Sequence, residues 1–212
     1  MKKKKTLAAA LLAAFVLWTI SLRHIDVQSI GPLGSSVGFA TVNGFVHKLT
    51  GVHMGLYAVT DWLGLVPLFT AAGFGILGLS QWIRGKCLRW VDRSILVLGG
   101  FYMAVMAVYG FFEMVEINYR PVLIDGILEA SYPSSTTLLV LCVMPTAALE
   151  LRDRIKKTAL RKAVLGAIYA FTVFMMAARL VSGVHWITDI IGGVLLSGGL
   201  VAVYRVCCQK LE

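Results

Sequence analysis

Three features of this 212-residue sequence predict an all-α polytopic membrane protein, a bundle of six transmembrane helices. Hydrophobic residues make up 58% of it and charged residues 15%, a balance that ordinary soluble domains do not share. Several runs of about 16 to 20 residues carry no charge, which is the length a helix needs to cross roughly 30 Å of hydrocarbon. The basic residues gather on alternate connections between these runs. A β-barrel is excluded, because its strands give weak alternating segments of about ten residues.

The spans fall at approximately 6–22, 57–82, 94–112, 134–150, 163–180 and 186–205. The first follows Lys2, Lys3, Lys4 and Lys5 and resembles a signal peptide in its basic start. Its apolar run ends without a clear cleavage site, so an uncleaved span is expected. A long connection, 23–56, comes next, and the remaining connections read as short. Within it, residues 27–46 are uncharged but hold four glycines and several polar residues, and a crossing there would reverse the charge asymmetry, so an outer loop with a short interfacial or re-entrant helix is expected. No internal repeat or second domain is visible. The chain reads as one membrane domain, 1–212.

Charge tests this arrangement. With Lys2–Lys5 inside, the next inner loop holds Arg84, Lys86, Arg89 and Arg93. The third holds Arg152, Arg154, Lys156, Lys157, Arg161 and Lys162, and the tail holds Arg205 and Lys210, giving sixteen of the twenty basic residues inside. Such asymmetry predicts two cytoplasmic termini. It also gives the net charge of +9 a topological meaning and argues against nucleic acid as a partner. The four cysteines suggest no disulfide framework, since Cys142 sits in an apolar run and Cys87, Cys207 and Cys208 face the reducing side. Gly192, Gly193, Gly198 and Gly199 suit close helix packing.

Only Arg23, Lys48, Arg120 and Arg179 remain outside. Arg120 lies in Asn118-Tyr119-Arg120-Pro121, after span three, and Arg179 closes span five, so parity puts both on one face. His185 and Asp189 follow, four residues apart, on the same side of a helix. Ionisable groups at membrane depth are expensive and usually functional. A carboxylate beside an imidazole fixes its tautomer, and two arginines hold a phosphate through paired hydrogen bonds. Span four opens with Pro133-Ser134-Ser135-Thr136, whose hydroxyls and free amides form an anion-binding helix start. Taken singly, an arginine at a helix end is usually a snorkelling anchor, and a His–Asp pair is often structural. Together they read as phosphoryl transfer with a histidine nucleophile.

Arg179-x5-His185-x3-Asp189, preceded by Arg120-Pro121 and Pro133-Ser134, resembles the type-2 phosphatidic acid phosphatase superfamily over roughly residues 57–205. The resemblance implies a six-span lipid-phosphate phosphatase in which Arg120, Arg179 and Ser134 bind phosphate. His185 would become a phosphohistidine, oriented by Asp189. No metal or other cofactor is implied, and the six spans exclude the superfamily's soluble haloperoxidase branch. The family pattern is Lys-x6-Arg-Pro, Pro-Ser-Gly-His and Ser-Arg-x5-His-x3-Asp. Here Glu113 stands for the lysine, Ser135 and Thr136 for the glycine and histidine, and Ala178 for the serine. One phosphate cation and the usual general acid are therefore missing.

Two functions follow as expectations. The first is an enzyme hydrolysing lipid phosphates or pyrophosphates at the outer face of a bacterial cytoplasmic membrane. A polyprenyl pyrophosphate suits a site that lacks an acid, because its leaving group departs unprotonated. The alternative is a catalytically silent relative that binds, moves or scaffolds phosphorylated lipids. His24, His47 or His53 would have to fold over the site to replace the acid. A transporter of unrelated mechanism would need charges deep in several helices, and only Asp61 qualifies.

Overall fold

A computed structural model describes residues 2–209; Lys210, assigned above to the inner tail, lies outside the described residues. Eight helices follow one another: α1 (Lys2–Leu22), α2 (Ala40–Thr50), α3 (Met54–Leu63), α4 (Leu65–Gly85), α5 (Arg93–Met114), α6 (Ser135–Arg154), α7 (Thr158–Val181) and α8 (Ile187–Cys208). With α3 and α4 taken as one crossing, six are long and apolar enough to span a membrane, and the protein is an all-α integral membrane protein. Most helices run past the apolar segments read from sequence, because helical hydrogen bonding continues into charged turns outside the hydrocarbon.

The second span is broken at Gly64, where the sequence suggested one continuous run. Gly64 donates its amide to both Thr60 and Asp61 carbonyls at 3.0 Å. Pro67, three residues on, has no amide to give the Leu63 carbonyl, and its ring crowds that turn. α6 carries Pro145 in its interior. There the Thr146 hydroxyl bonds the Cys142 carbonyl at 2.7 Å, and Tyr102 Oη lies 3.2 Å from Thr146 Oγ1. Polar side chains thus satisfy groups that apolar surroundings would leave costly.

α6 and α8 form the centre, with 56% and 50% of their spans buried against 11–22% for the others. Three apolar clusters meet on α6: Phe15, Val105, Leu139 and Leu196; Phe74, Leu98, Val143 and Tyr204; and Val140, Met144, Ile168 and Met175. The α8 glycines permit this closeness. A Cβ at Gly192 would stand 2.4 Å from the Tyr132 ring, and one at Gly199 2.6 Å from Leu12. Overpacking of that kind costs about 1–3 kcal/mol.

The connection after α1 contains a short helix, α2, docked on the start of α8. Asn43 is fully buried, donates to Thr188 Oγ1 at 3.0 Å and accepts from the Thr188 amide at 3.3 Å. Asp26 caps α2 by accepting from the Thr41 amide at 2.7 Å, a bond that holds its carboxyl below the usual range. The α5–α6 connection falls where the sequence placed it and is ordered. Residues 115–134 fold as a hairpin whose Asp125-Gly126 tip has φ of 50° and 80°, the conformation a two-residue hairpin turn requires. Its rungs are Arg120 N to Glu129 O at 3.0 Å and Ser131 N to Asn118 O at 2.8 Å.

Candidate active site

At the end of the bundle where α5 stops and α6 and α8 begin, the hairpin carries Arg120 inward and α7 delivers Arg179. Both are buried, Arg179 with 1% of its surface exposed. Arg120 Nη1 and Arg179 Nη2 each lie 3.3 Å from His185 Nε2. Guanidinium groups only donate, so Nε2 accepts and the ring proton sits on Nδ1. The nitrogen facing the arginines therefore carries the ring's lone pair, which accepts from both of them. Burial, then Arg120 and Arg179, hold the imidazole well below the usual histidine range, so the ring is neutral.

His185 is not on a helix, as its spacing from Asp189 suggested. It precedes Trp186, the residue that caps α8. Asp189 reaches back to accept the Trp186 amide at 3.0 Å and takes a second bond from Asn118 at 3.3 Å. This helix-capping acid faces His185 Nδ1 at 3.8 Å, outside hydrogen-bond range, although Nδ1 is the nitrogen expected to face it. The ring's orientation agrees with the sequence reading and the contact is longer than it implied, because the capping turn claims the carboxylate.

The two guanidiniums converge on one atom at a Coulombic cost. Each has a neighbouring carboxylate: Glu129 2.9 Å from Arg120 Nε, and Asp61 3.9 Å from Arg179 Nη1. Tyr57 lies under both, 5.9 Å from Arg120 and 5.1 Å from Arg179, and Thr60 accepts from Arg179 at 3.2 Å. Tyr57, Thr60, Asn118 and Glu129 were not read from the sequence. Asp61 was, but as an isolated charge. Hydropathy gives such residues no signal, because their partners lie on other helices; the Asp125-Gly126 pair alone announced the hairpin that brings Glu129 to Arg120.

The start of α6 departs from expectation in detail. Ser134 is fully buried and its hydroxyl has no partner, but its amide donates to the Asp189 carbonyl at 3.2 Å and is not free for an anion. Ser135 lines a cavity of about 10 Å³ with His185, Ser131, Tyr109 and Glu113. Glu113 thus faces the histidine's surroundings from the position of the family lysine. Thr136 turns toward the α3–α4 break, where a Cβ on Gly64 would stand 3.7 Å from its methyl. The histidines of the first connection do not supply an acid: His47 bonds the Gly183 carbonyl at 3.1 Å and His53 the Thr50 carbonyl at 2.9 Å, and His24 is exposed. Gly183 has φ of 69°, and a Cβ there would stand 1.9 Å from the Gly51 carbonyl, so only glycine lets the α2–α3 corner close over the loop that holds His185.

Two buried arginines, a neutral histidine and a capping aspartate thus meet at one end of a six-span membrane protein. Residues 111–212, just under half of the chain, match the family model described as PAP2 superfamily, which supports the resemblance read from the motifs. The fold is similar to the crystal structure of the first transmembrane PAP2 type phosphatidylglycerolphosphate phosphatase from Bacillus subtilis, with a TM-score of 0.63, 19% identity, and coverage of 97% of this chain and 98% of that one. No curated protein sequence matches the chain.

Proposed function

We propose that the protein is a membrane phosphatase of lipid phosphates or pyrophosphates, working through a phosphohistidine on His185 at the outer face of a bacterial cytoplasmic membrane. The observation that carries this reading is the convergence of Arg120 and Arg179 on His185 Nε2, both at 3.3 Å. A phosphoryl group entering there draws the guanidiniums onto its oxygens and frees the lone pair. Nε2 attacks phosphorus, the bond to the leaving oxygen breaks, and the ring keeps its Nδ1 proton facing Asp189. Water then attacks phosphorus, the electron pair returns to Nε2, and inorganic phosphate leaves. The match of residues 111–212 to the superfamily model and the fold likeness to a phosphatase support the reaction class.

Leaving-group chemistry favours a pyrophosphate, such as that of a polyprenyl carrier. A monophosphate expels an alkoxide whose conjugate acid has a pKa of roughly 15.7, like water, and needs a proton. A pyrophosphate expels a phosphate whose conjugate acid lies near about 6. Thr136 supplies no acid, and neither do the outer-loop histidines.

The silent-relative reading also has an observation behind it. Glu129 and Asp61 already neighbour the arginines, and Asp189 stops 3.8 Å short of the ring. One experiment separates the two: phosphate release from lipid mono- and pyrophosphates by detergent-purified protein, with acid-quenched trapping of phosphoenzyme. The enzyme reading expects turnover and a trapped phosphohistidine, both lost in His185→Ala. Lipid binding without turnover in wild type would select the silent relative, and full turnover in His185→Ala would rule out the proposed chemistry.

A further inference from the structure

Far from the arginines, α4 and α5 diverge around an apolar groove of about 540 Å³, lined by Gly75, Gly78, Gly99, Gly100, Phe74 and Tyr102 among others. Three of its glycines differ in kind from those on α8, while at Gly78 a Cβ would stand 2.9 Å from Ile95, a packing contact like theirs. At Gly192, Gly193 and Gly199 an added Cβ would stand 2.4–2.8 Å from a neighbouring side chain, so these glycines exist for close packing. At Gly75, Gly99 and Gly100 a Cβ would meet nothing within 4 Å. They bring no helices together; they keep a channel in the membrane-facing surface empty of side chains. At its basic end the groove adjoins a recess of about 390 Å³ lined by Gln81, Arg84, Gly85 and Trp90.

Arg84 is the basic residue that lines this recess. Arg84 lies in the last turn of α4, Lys86 and Arg89 lie on the turn that follows, and none of the ion pairs among the described residues engages them. The nearby carboxylate, Asp92, is occupied by Arg154 at 2.8 Å and by Gln81 at 3.0 Å. Trp82 and Trp90 are exposed, as aromatic side chains at headgroup level are. Basic recesses between helices, next to apolar grooves, suit the phosphate and chain of one lipid. We propose that the α4–α5 groove binds an anionic phospholipid of the leaflet at the basic end, with its phosphate on Arg84 beside Trp90 and an acyl chain along Gly75, Gly99 and Gly100. This site is separate from the histidine site and does not depend on its chemistry.

Native mass spectrometry of the whole protein, released from detergent with equimolar phosphatidylglycerol and phosphatidylcholine, tests it. Wild type is expected to retain one phosphatidylglycerol in preference to phosphatidylcholine. A basic residue near the surface contributes about 1 kcal/mol toward an anionic lipid, or roughly fivefold. Arg84→Gln, at an exposed position, is expected to cut the preference by about that factor. Gly75→Leu with Gly99→Leu fills the groove and is expected to abolish retention of either lipid at this site. Lys4→Gln with Arg205→Gln, at a second groove between α1, α6 and α8, is expected to leave the preference intact. Equal retention of the two lipids by wild type overturns the proposal without any variant. So does a preference that survives Arg84→Gln and the double leucine substitution, or one lost only in the Lys4 and Arg205 variant.

Discussion

Replacing Arg179 by lysine keeps the charge and removes the fork, and so isolates what the guanidinium geometry contributes. Arg179 sends Nη1 to Thr60 Oγ1 at 3.2 Å and Nη2 to His185 Nε2 at 3.3 Å, with 1% of its surface exposed. An ammonium is a single point and cannot meet both directions at once. In the phosphoryl-transfer reading it makes one charge-assisted bond to the substrate where the guanidinium makes two. A hydrogen bond to a charged group contributes about 1.5–3 kcal/mol, and part of the fork's pre-organisation is lost as well. The expected loss is about 2–4 kcal/mol, which at about 1.36 kcal/mol per decade is on the order of 30- to 1000-fold in kcat/KM. Phosphate release from a micellar lipid pyrophosphate measures it, with thermal unfolding of the purified variant as the control for folding. A folded Arg179→Lys protein within fivefold of wild type would refute the idea that this arginine grips the transferring group.

Other measurements bear on separate parts of the reading. Single cysteines placed at the exposed hairpin tip, 125–127, are expected to react with impermeant thiol reagents from outside intact cells and those in 86–91 or 155–157 not to; the reverse pattern would invert the proposed orientation. Because burial and two arginines hold His185 well below the usual histidine range, the acid limb of kcat/KM is expected below about pH 6.5. Arg120→Gln removes a cation that depresses this pKa, so the limb should move to higher pH; a limb that stays put or falls would contradict the geometry. The same depressed pKa means that the unfolded chain binds a proton the folded chain refuses, so His185 lowers stability progressively as pH drops through about 6.5, and His185→Gln should flatten that part of a stability–pH curve. Thr136→His is expected to raise turnover of a lipid monophosphate by up to about 10²-fold and of the matched pyrophosphate by much less; equal gains on both would remove the leaving-group argument.

The sequence alone determined the six spans and brought Arg120, Arg179, His185 and Asp189 to one end, because membrane thickness fixes span length and parity fixes the side. Gly192 and Gly199 were legible as packing positions for a related reason: a helix with no side chain at the contact has few other uses. Tertiary structure decided what hydropathy cannot carry. Asp189 faces His185 through the capping turn of α8 and not across a helix face, and its carboxylate is engaged by Trp186 and Asn118. Ser134 lends its amide to Asp189. Glu129 reaches Arg120 through a hairpin, and Asp61 and Thr60 reach Arg179 from another span. These are contacts between segments distant in the chain, and their distances follow from how helices tilt and cap one another. Apolar periodicity records which face of a segment is buried, but it does not record which polar group on a neighbouring segment will meet it there.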